Sequence, residues 1–280
     1  MRRTSLGSEM EAEAVSVMTF NVRYDEESDG EDRWARRRGD VISFLKEKRP
    51  VVLGVQEALV HQRDDLATAF PGYGVVGGGR DDGDRGGELN CIFYLHEELH
   101  CVASGTFWLS STPHQPGTKV ATSSLPRICT WAMVHRHGSP KSMFVVFNTH
   151  LDHQSSEARR QQTSILLRQI QHIAGLYPSV LMGDLNCTSS SPPYEALASS
   201  FYMDSRGIAE ESSVINGHLK SFTGFHSPTS VVPPGSTQID HVFVSGFDVL
   251  RWEQTSQLRP NGRALSDHRA LLVHLVNQYE

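Results

Sequence analysis

Short runs of apolar residues alternate with polar segments along most of the chain, and their spacing predicts strands more often than helices. Alternation of apolar and polar positions, or a brief apolar run bounded by turn residues, is typical of strands. The predicted strands are 15–20, 51–57, 73–77, 88–95, 99–103, 106–110, 128–136, 142–149, 179–184, 240–246, 249–255 and 268–275. Because strands and helices do not alternate regularly, we expect an α/β (α+β) fold with two sheets packed face to face and helices outside.

Helical patterns occupy fewer segments. The predicted helices are 33–48, 60–70, 156–176 and a proline-started helix near 193–199. The clearest is 156–176, in which a serine cap precedes an apolar stripe that recurs at helical spacing. The stripe consists of Ile165, Leu166, Ile170 and Ile173. The helix over 33–48 is expected to end before Pro50, since proline cannot continue the backbone hydrogen bonds.

Polar side chains stand where many of the apolar runs stop. A charged group beside a dry core must be paired, hydrated in a cleft or bound to a metal ion. One aspartate at a strand end is usually a turn former, but carboxylates, imidazoles and amides recur at strand ends throughout this chain. They are Asn21, Glu57, His150, Asp184, Asn186, Asp240, Asp267 and His268. Oxygen-rich sets of this kind suit Mg²⁺ or Mn²⁺ rather than Zn²⁺.

The stretch SVLMGDLN, residues 179–186, shows this pattern most sharply. An apolar strand is followed at once by Asp184 and Asn186. On an extended chain, side chains two residues apart return to the same face. We therefore expect both side chains to point at one reacting group from extended backbone, the carboxylate accepting a proton and the amide donating a hydrogen bond.

Composition limits the function without naming one. The chain has 280 residues, 38% hydrophobic and 21% charged, and can bury a sizeable core. Its net charge of −6 disfavours a protein that grips duplex DNA by neutralising many phosphates. The widely spaced Cys91, Cys101, Cys129 and Cys187 favour free thiols. We expect no membrane span, since no apolar run reaches about 18 residues, and we interpret residues 1–13 as a disordered tail.

Six motifs carry a resemblance to a known family. They are MTFNVRY, GVQEAL, FNTHLD, MGDLN, QIDHVFVS and LSDHRAL, in that order. Together they resemble the endonuclease/exonuclease/phosphatase superfamily, the DNase I-like fold, from about Val15 to Leu275. The resemblance implies one domain over 14–280, a four-layer sandwich with its cleft at one edge of the sheets, and hydrolysis of phosphoesters with Mg²⁺ or Mn²⁺.

The resemblance also implies a role for each matched residue. Glu57 would be the principal metal ligand, assisted by Asn21 and Asp267, and the ion would neutralise charge on the phosphate. Asp184 would deprotonate the attacking water as general base, although a place for it in a second metal site stays open. Asn186 would donate a hydrogen bond to the phosphate or to the water.

Two histidines have implied roles beside the phosphate. His268 would stabilise the transition state as an imidazolium, while Asp240 holds its other ring nitrogen and raises its pKa. His150 would contact the phosphate from the other side or protonate the leaving group. Glu88 is the implied partner of His150.

Three arginines bear on substrate binding. Arg127 lies where the family often has a phosphate-binding arginine. Arg80 and Arg85, in the segment GRDDGDRGGE, would hold a second phosphate if that loop reaches the cleft. Trp108 fits a core or sheet-face position, with stacking on a base as the alternative if the substrate is a polynucleotide. His153 is a candidate to line the cleft, and this assignment stays open.

The substrate class stays open at this point. The acidic charge favours a phosphorylated small molecule or a single-stranded nucleic acid over duplex DNA. A single-stranded RNA exonuclease and a sugar or inositol phosphatase both fit, and so does a non-catalytic member that binds phosphorylated ligands. We expect a monomer, in the cytoplasm or the nucleus.

Overall fold

The structure, a computed structural model, describes residues 14–225 and 237–279. The predicted tail over 1–13 lies outside the described residues. The strands are β1 Val15–Asn21, β2 Val52–Ala58, β3 Tyr73–Val76, β4 Leu89–Leu95, β5 Leu99–Trp108, β6 Ile128–Arg136, β7 Ser139–His150, β8 Ser179–Asp184, β9 Met203–Asp204, β10 Val214–Ile215, β11 Asp240–Ser245, β12 Phe247–Gln254 and β13 Leu271–Asn277. The α-helices are α1 Trp34–Lys48, α2 Val60–Ala69, α3 Ser156–Ala174, α4 Pro192–Ala198 and α5 Ser205–Ile208.

The described strands form two mixed sheets. One has seven strands in the order β10-β12-β13-β1-β2-β4-β3, and the other has six in the order β5-β6-β7-β8-β11-β9. β1 pairs with β2 in parallel, and β7 pairs with β8 in parallel. The sandwich predicted from the apolar pattern is confirmed.

Residues of β1 show why the sandwich has four layers. Val15 and Val17 belong to the apolar cluster between the two sheets. Met18 and Phe20 point the other way, into a second cluster that includes residues of α1 and α2. A third cluster lies between the six-stranded sheet and α3. Strand alternation thus sends successive side chains into different cores, and helices cover the outer face of each sheet.

Most element boundaries agree with the apolar pattern. Ser155 caps α3, since its hydroxyl accepts a hydrogen bond from the Ala158 N–H at 3.1 Å. The predicted stripe of α3 is buried at Ile165, Leu166 and Ile170. α3 ends two residues earlier than predicted, because Gly175 takes a positive φ of 57° at its end.

Two strand predictions need correction. The segments 99–103 and 106–110 form one strand, β5, whose register with β6 shifts between Cys101 and Ala103. A shift of this kind bends a strand without ending it. The last strand begins at Leu271 and not at His268, because the backbone just before it bonds to side chains and loops, as when Ala270 C=O accepts from the Thr255 hydroxyl.

Strand register brings several polar strand ends to one end of the sandwich. His150 is the register partner of Asp184, and Asp184 is also the partner of Asp240. In the facing sheet, Asn21 ends β1 beside Gln56 of β2. The polar residues singled out along the chain therefore meet at one end. None of the helices in the described ranges is long and apolar enough to cross a membrane.

Candidate active site

A cleft of about 590 Å³ opens at the end where these strand ends meet. It is lined by Arg23, Tyr24, Glu57, Arg80, Glu88, Leu125, Arg127, His150, His153, Asp184, Asn186, Phe222, Ile239, Asp267 and His268. Of the residues predicted for the catalytic and metal-binding roles, Asn21 and Asp240 are not in this lining. Both are buried directly behind it, where they hold lining residues.

Asn21 joins the two sheets at the base of the cleft. Its amide nitrogen donates to Glu57 Oε1 at 2.9 Å and to Asp184 Oδ2 at 3.0 Å. The same nitrogen lies 3.5 Å from His268 Nε2. Asn21 is fully buried, so one amide fixes the relative positions of a carboxylate from each sheet.

His268 is held between two aspartates. Its Nδ1 donates to Asp240 Oδ2 at 2.8 Å, and its Nε2 lies 3.7 Å from Asp184 Oδ2. Burial alone would lower the pKa of His268, but the negative charges of Asp240 and Asp184 outweigh it and raise that pKa well above its ordinary value. This shift favours the imidazolium form of the ring.

The charge balance of the cleft fits a divalent cation. Burial and then the charge of Asp240 raise the pKa of Asp184 to about 7, and burial raises the pKa of Asp267. These carboxylates are costly to ionise together unless a cation joins them. One ligand atom each from Glu57, His150 and Asp184 lie within 4.8 Å of one another. The donors are mostly oxygens, which suits Mg²⁺ or Mn²⁺.

Asn186 reaches the cleft by a turn and not from extended backbone, so that expectation was wrong. β8 ends at Asp184, and Asn186 has a positive φ of 47°. Its backbone N–H donates to Asp184 Oδ1 at 2.9 Å. Its side-chain amide lies 2.9 Å from His150 Nε2 and donates to the Leu151 C=O at 3.1 Å. The amide therefore positions His150 as well as facing the cleft.

Three residues that are not glycine hold a positive φ at this site. They are Arg23 at 56°, Glu57 at 63° and Asn186 at 47°. Each such backbone costs about 1–3 kcal/mol and persists only where surrounding contacts enforce it. Here the enforcing contacts include Arg23 N–H to Asn21 Oδ1 at 3.0 Å and Tyr24 N–H to Glu57 Oε2 at 3.2 Å.

His150 and Glu88 are close, but each has a nearer partner. His150 Nδ1 lies 3.9 Å from Glu88 Oε2 and has no hydrogen-bond partner within the described ranges. Glu88 instead forms an ion pair with Arg80 Nη1 at 2.7 Å. Burial and the positive charge of Arg127 lower the pKa of His150 well below its ordinary value. The lowered pKa favours a neutral His150 ring, whose Nδ1 is buried.

Guanidinium groups occupy the wall of the cleft beside His150. Arg127 is 3% exposed, and its Nη2 lies 2.9 Å from His153 Nδ1, which places His153 in the cleft as predicted. Arg23, to which the motifs assigned no role, pairs with Asp29 at 3.0 Å. The MTFNVRY motif contains Arg23, but nothing in its local pattern distinguishes it from a surface charge. Tyr24 was missed for the same reason.

The loop before β4 separates the two arginines predicted on it. Arg80 lines the cleft, and its backbone C=O accepts from Trp108 Nε1 at 2.6 Å. Arg85 does not line the cleft and pairs with Asp64 at 3.3 Å, so its assignment to a second phosphate was wrong. Trp108 is 4% exposed beneath this loop, so it offers no face for base stacking.

Three solved structures of other proteins resemble this chain over nearly its whole length. A structure of an endonuclease/exonuclease/phosphatase from Bacteroides vulgatus is 33% identical to this chain with a TM-score of 0.86, over 94% of this chain and 99% of that one. A mannosyl-6-phosphatase from Bacteroides thetaiotaomicron is 30% identical with a TM-score of 0.84, over 94% and 99%. The human Nocturnin catalytic domain, 18% identical with a TM-score of 0.69 over 95% and 94%, shares the fold.

A family model identifies the same family, although no curated protein matches the chain significantly. The model of the Endonuclease/Exonuclease/phosphatase family matches residues 18–268, which include every predicted site residue. The chain therefore belongs to the Endonuclease/Exonuclease/phosphatase family.

Proposed function

We propose that the protein is a Mg²⁺- or Mn²⁺-dependent hydrolase of phosphomonoesters of small molecules, with sugar phosphates as the substrate class. The observation that supports this proposal is that one cleft holds both a set of oxygen ligands for a metal ion and a set of cationic side chains for a phosphate. An oxygen-rich donor set lies on one side, and three guanidiniums and an imidazolium lie around it. The lining holds as many carboxylates as cationic groups. A phosphomonoester carries nearly two negative charges near pH 7, so the two positive charges of a bound divalent ion would balance them while the guanidiniums donate hydrogen bonds to the phosphate oxygens.

Two further observations support the choice of a small phosphate ester. The structural relative at 30% identity, matched over 99% of its length, is a mannosyl-6-phosphatase. The net charge of −6 gives no long-range attraction to a polyanion. The relative solved with a single-stranded DNA product, D. rerio TDP2, is 17% identical to this chain, and it informs the fold alone.

The ion would be held by Glu57, with Asp184, Asn21 and Asp267 around it. When bound, the ion supplies charge neutralisation to the phosphate and to the departing oxygen. Asp184, whose pKa lies near 7, accepts the proton of the attacking water as general base. Asn21 keeps that carboxylate in place through its hydrogen bond at 3.0 Å.

The two histidines act in different protonation states. His268 is an imidazolium, and its Nε2 lies on the side of Asp184, where the phosphate is attacked. There it donates a hydrogen bond to a phosphate oxygen that gains negative charge in the transition state. Asp240 keeps the ring charged and oriented. His150 is neutral and held by Asn186, and its ring, which is part of the cleft lining, would contact the phosphate or the leaving-group oxygen from the opposite side.

The guanidiniums complete the binding of the dianion. Arg127 and Arg80 present planar donors that match phosphate oxygens in pairs. Because both are buried or half-buried beside Glu88 and His153, little side-chain freedom is lost when the phosphate binds. Tyr24, Leu125, Phe222 and Ile239 line the rest of the cleft and would contact the leaving group.

A substrate panel tests this proposal. Hexose 6-phosphates, inositol phosphates, poly(A) and single-stranded DNA would be assayed with Mg²⁺ and with Mn²⁺, for the wild type and D184N. We expect inorganic phosphate release from a hexose phosphate, at a rate about 10²- to 10⁴-fold lower with D184N. Cleavage of a polynucleotide alone would overturn the substrate class, and binding of phosphorylated ligands without any turnover would overturn the enzymatic function.

A further inference from the structure

A cluster of histidines lies at the end of the six-stranded sheet opposite the cleft. His100 is on β5, His135 is on β6, and His137 follows β6 directly. β6 begins at Ile128, next to Arg127 in the cleft, and ends at Arg136. With a rise of about 3.3 Å per residue, that strand separates the cluster from the cleft by roughly 25 Å. The proposed phosphoester chemistry therefore does not use these residues.

Strand register places the three rings together on one side of the sheet. His100 is the direct register partner of His135, and their ring centroids are 5.2 Å apart. The centroids of His100 and His137 are 6.3 Å apart. Two imidazoles that share a metal ion at about 2.1 Å from each nitrogen have their centroids about 5–6 Å apart. The spacing of His100 and His135 matches that requirement, and the spacing of His100 and His137 is slightly larger.

Hydrogen bonds leave one nitrogen of His135 and one of His137 available for an ion. His135 Nδ1 lies 2.7 Å from the Arg136 C=O, and His137 Nε2 lies 2.7 Å from the His96 C=O. A carbonyl oxygen only accepts, so each of these ring nitrogens carries the proton. In a neutral ring the other nitrogen then has a free lone pair. Metal-binding histidines are commonly oriented by this type of hydrogen bond.

We propose that His100, His135 and His137 form a binding site for a divalent transition ion of the zinc class. An all-imidazole donor set favours Zn²⁺ and its neighbours over Mg²⁺, in contrast to the oxygen-rich cleft. His100 and His137 are exposed, so an ion has access, and a rotation of the exposed His100 ring would complete the site. Water takes the fourth position of a tetrahedral ion.

Binding of the ion would join β5 to β6 at the start of an edge strand. β5 is the outermost strand of its sheet, and its pairing with β6 shifts between Cys101 and Ala103. An ion held by His100 and His135 bridges the two strands just before that shift. Because the site is formed only in the folded chain, binding raises the stability of the fold by mass action.

Calorimetric titration of Zn²⁺ into the full-length protein, in the presence of excess Mg²⁺, tests the site. The probes are the wild type, H100Q and H135Q, and H172Q is the control because His172 is an exposed histidine on α3. We expect H100Q and H135Q to bind one Zn²⁺ equivalent fewer than the wild type, or to bind it about ten- to hundredfold more weakly. H172Q should bind as the wild type does.

Unchanged stoichiometry and affinity in H100Q would overturn the proposal. His100 is exposed, so H100Q should fold even if H135Q does not. The test therefore does not depend on a substitution at the half-buried His135. Tetrahedral Co²⁺ absorption gives a second readout, expected in the wild type and absent in H100Q. Neither measurement depends on phosphoester turnover, so the site and the proposed function can fail separately.

Discussion

The two ends of the six-stranded sheet use polar side chains in opposite ways. At the cleft end, Asp184, Asp240 and His268 are almost fully buried, and each makes a close contact with another polar group. At the far end, His100 and His137 are exposed. Burial is what converts a cluster of ordinary side chains into groups with altered pKa and fixed geometry.

The cleft end has a cost that the far end does not have. Carboxylates that resist ionisation and three residues with positive φ reduce the stability of the fold. Active sites commonly retain such features because function requires them. The comparison predicts that substitutions at the cleft end reduce activity and leave stability unchanged or higher, whereas substitutions at exposed positions change neither.

Replacing Asp184 by asparagine should have the largest effect. Without a general base, kcat for the phosphate ester should fall about 10²- to 10⁴-fold. The thermal midpoint of the metal-free protein should be equal or higher, since a costly buried charge is removed. Steady-state kinetics and thermal denaturation of D184N would be compared with the wild type. A variant that retains activity within tenfold would remove Asp184 from the mechanism.

The D240N variant should reduce activity less and change its pH dependence. Asp240 raises the pKa of His268, so removing its charge lowers that pKa, and the imidazolium is lost at a lower pH. The alkaline limb of the kcat/KM profile should move to lower pH. The asparagine can still accept the hydrogen bond of His268, so orientation is retained. An unshifted alkaline limb would mean that His268 does not act as an imidazolium.

Arg80 and Arg85 form a matched pair on one loop. R80A should raise KM by about tenfold, the value expected when one charge-assisted hydrogen bond is lost. R85A should leave KM within about twofold, because Arg85 pairs with Asp64 away from the cleft. Kinetics of both variants on the same hexose phosphate decide the point. Equal effects would show that the loop acts through its conformation and not through Arg80.

The smallest effect concerns the stability of the metal-free protein as the pH changes. The pKa of Asp184 rises from 3.8 in the unfolded chain to about 7 in the folded protein, so the folded state binds more protons in this window. The free energy of unfolding should therefore fall as pH rises from about 4 to about 7. The raised pKa of His268 adds a loss of the same sign above that window.

Thermal midpoints measured with EDTA between pH 5 and 8 would test this trend. The slope should be shallower in D184N and smaller again when Mg²⁺ is added to the wild type, because the ion stabilises the ionised carboxylate. Because the lowered pKa of His150 contributes a slope of the opposite sign, the test is the difference between the two proteins, and equal slopes in the wild type and D184N would contradict the assigned burial cost. R85A provides the control, since its position lies outside the cleft.

Much of the fold and of the site could be predicted from local sequence. Alternation in segments such as 15–20 indicated strands with a buried face, and the spacing of Ile165, Leu166 and Ile170 indicated the buried face of α3. Polar residues at apolar strand ends indicated that Glu57, Asp184 and His268 belong to one site. These features depend on residues close together in the chain, where the periodicity of strand and helix applies.

Other features depend on chain segments that are far apart. That Arg80 enters the cleft while Arg85 does not is decided by the contacts of one loop with Trp108 and Asp64. The position of Arg23 in the cleft lining depends on its ion pair with Asp29. Asn186 required a positive φ that the turn after β8 imposes.

The sequence by itself determined the two-sheet architecture, the residue types of the site and the end of each strand on which they lie. Only the tertiary structure decided which rings are charged, which arginines face the cleft and which histidines lie together at the far end. The physical reason is that pKa values and contact partners are set by burial and by charges from other strands. Those neighbours are brought together by sheet register, which no local pattern of apolar residues specifies.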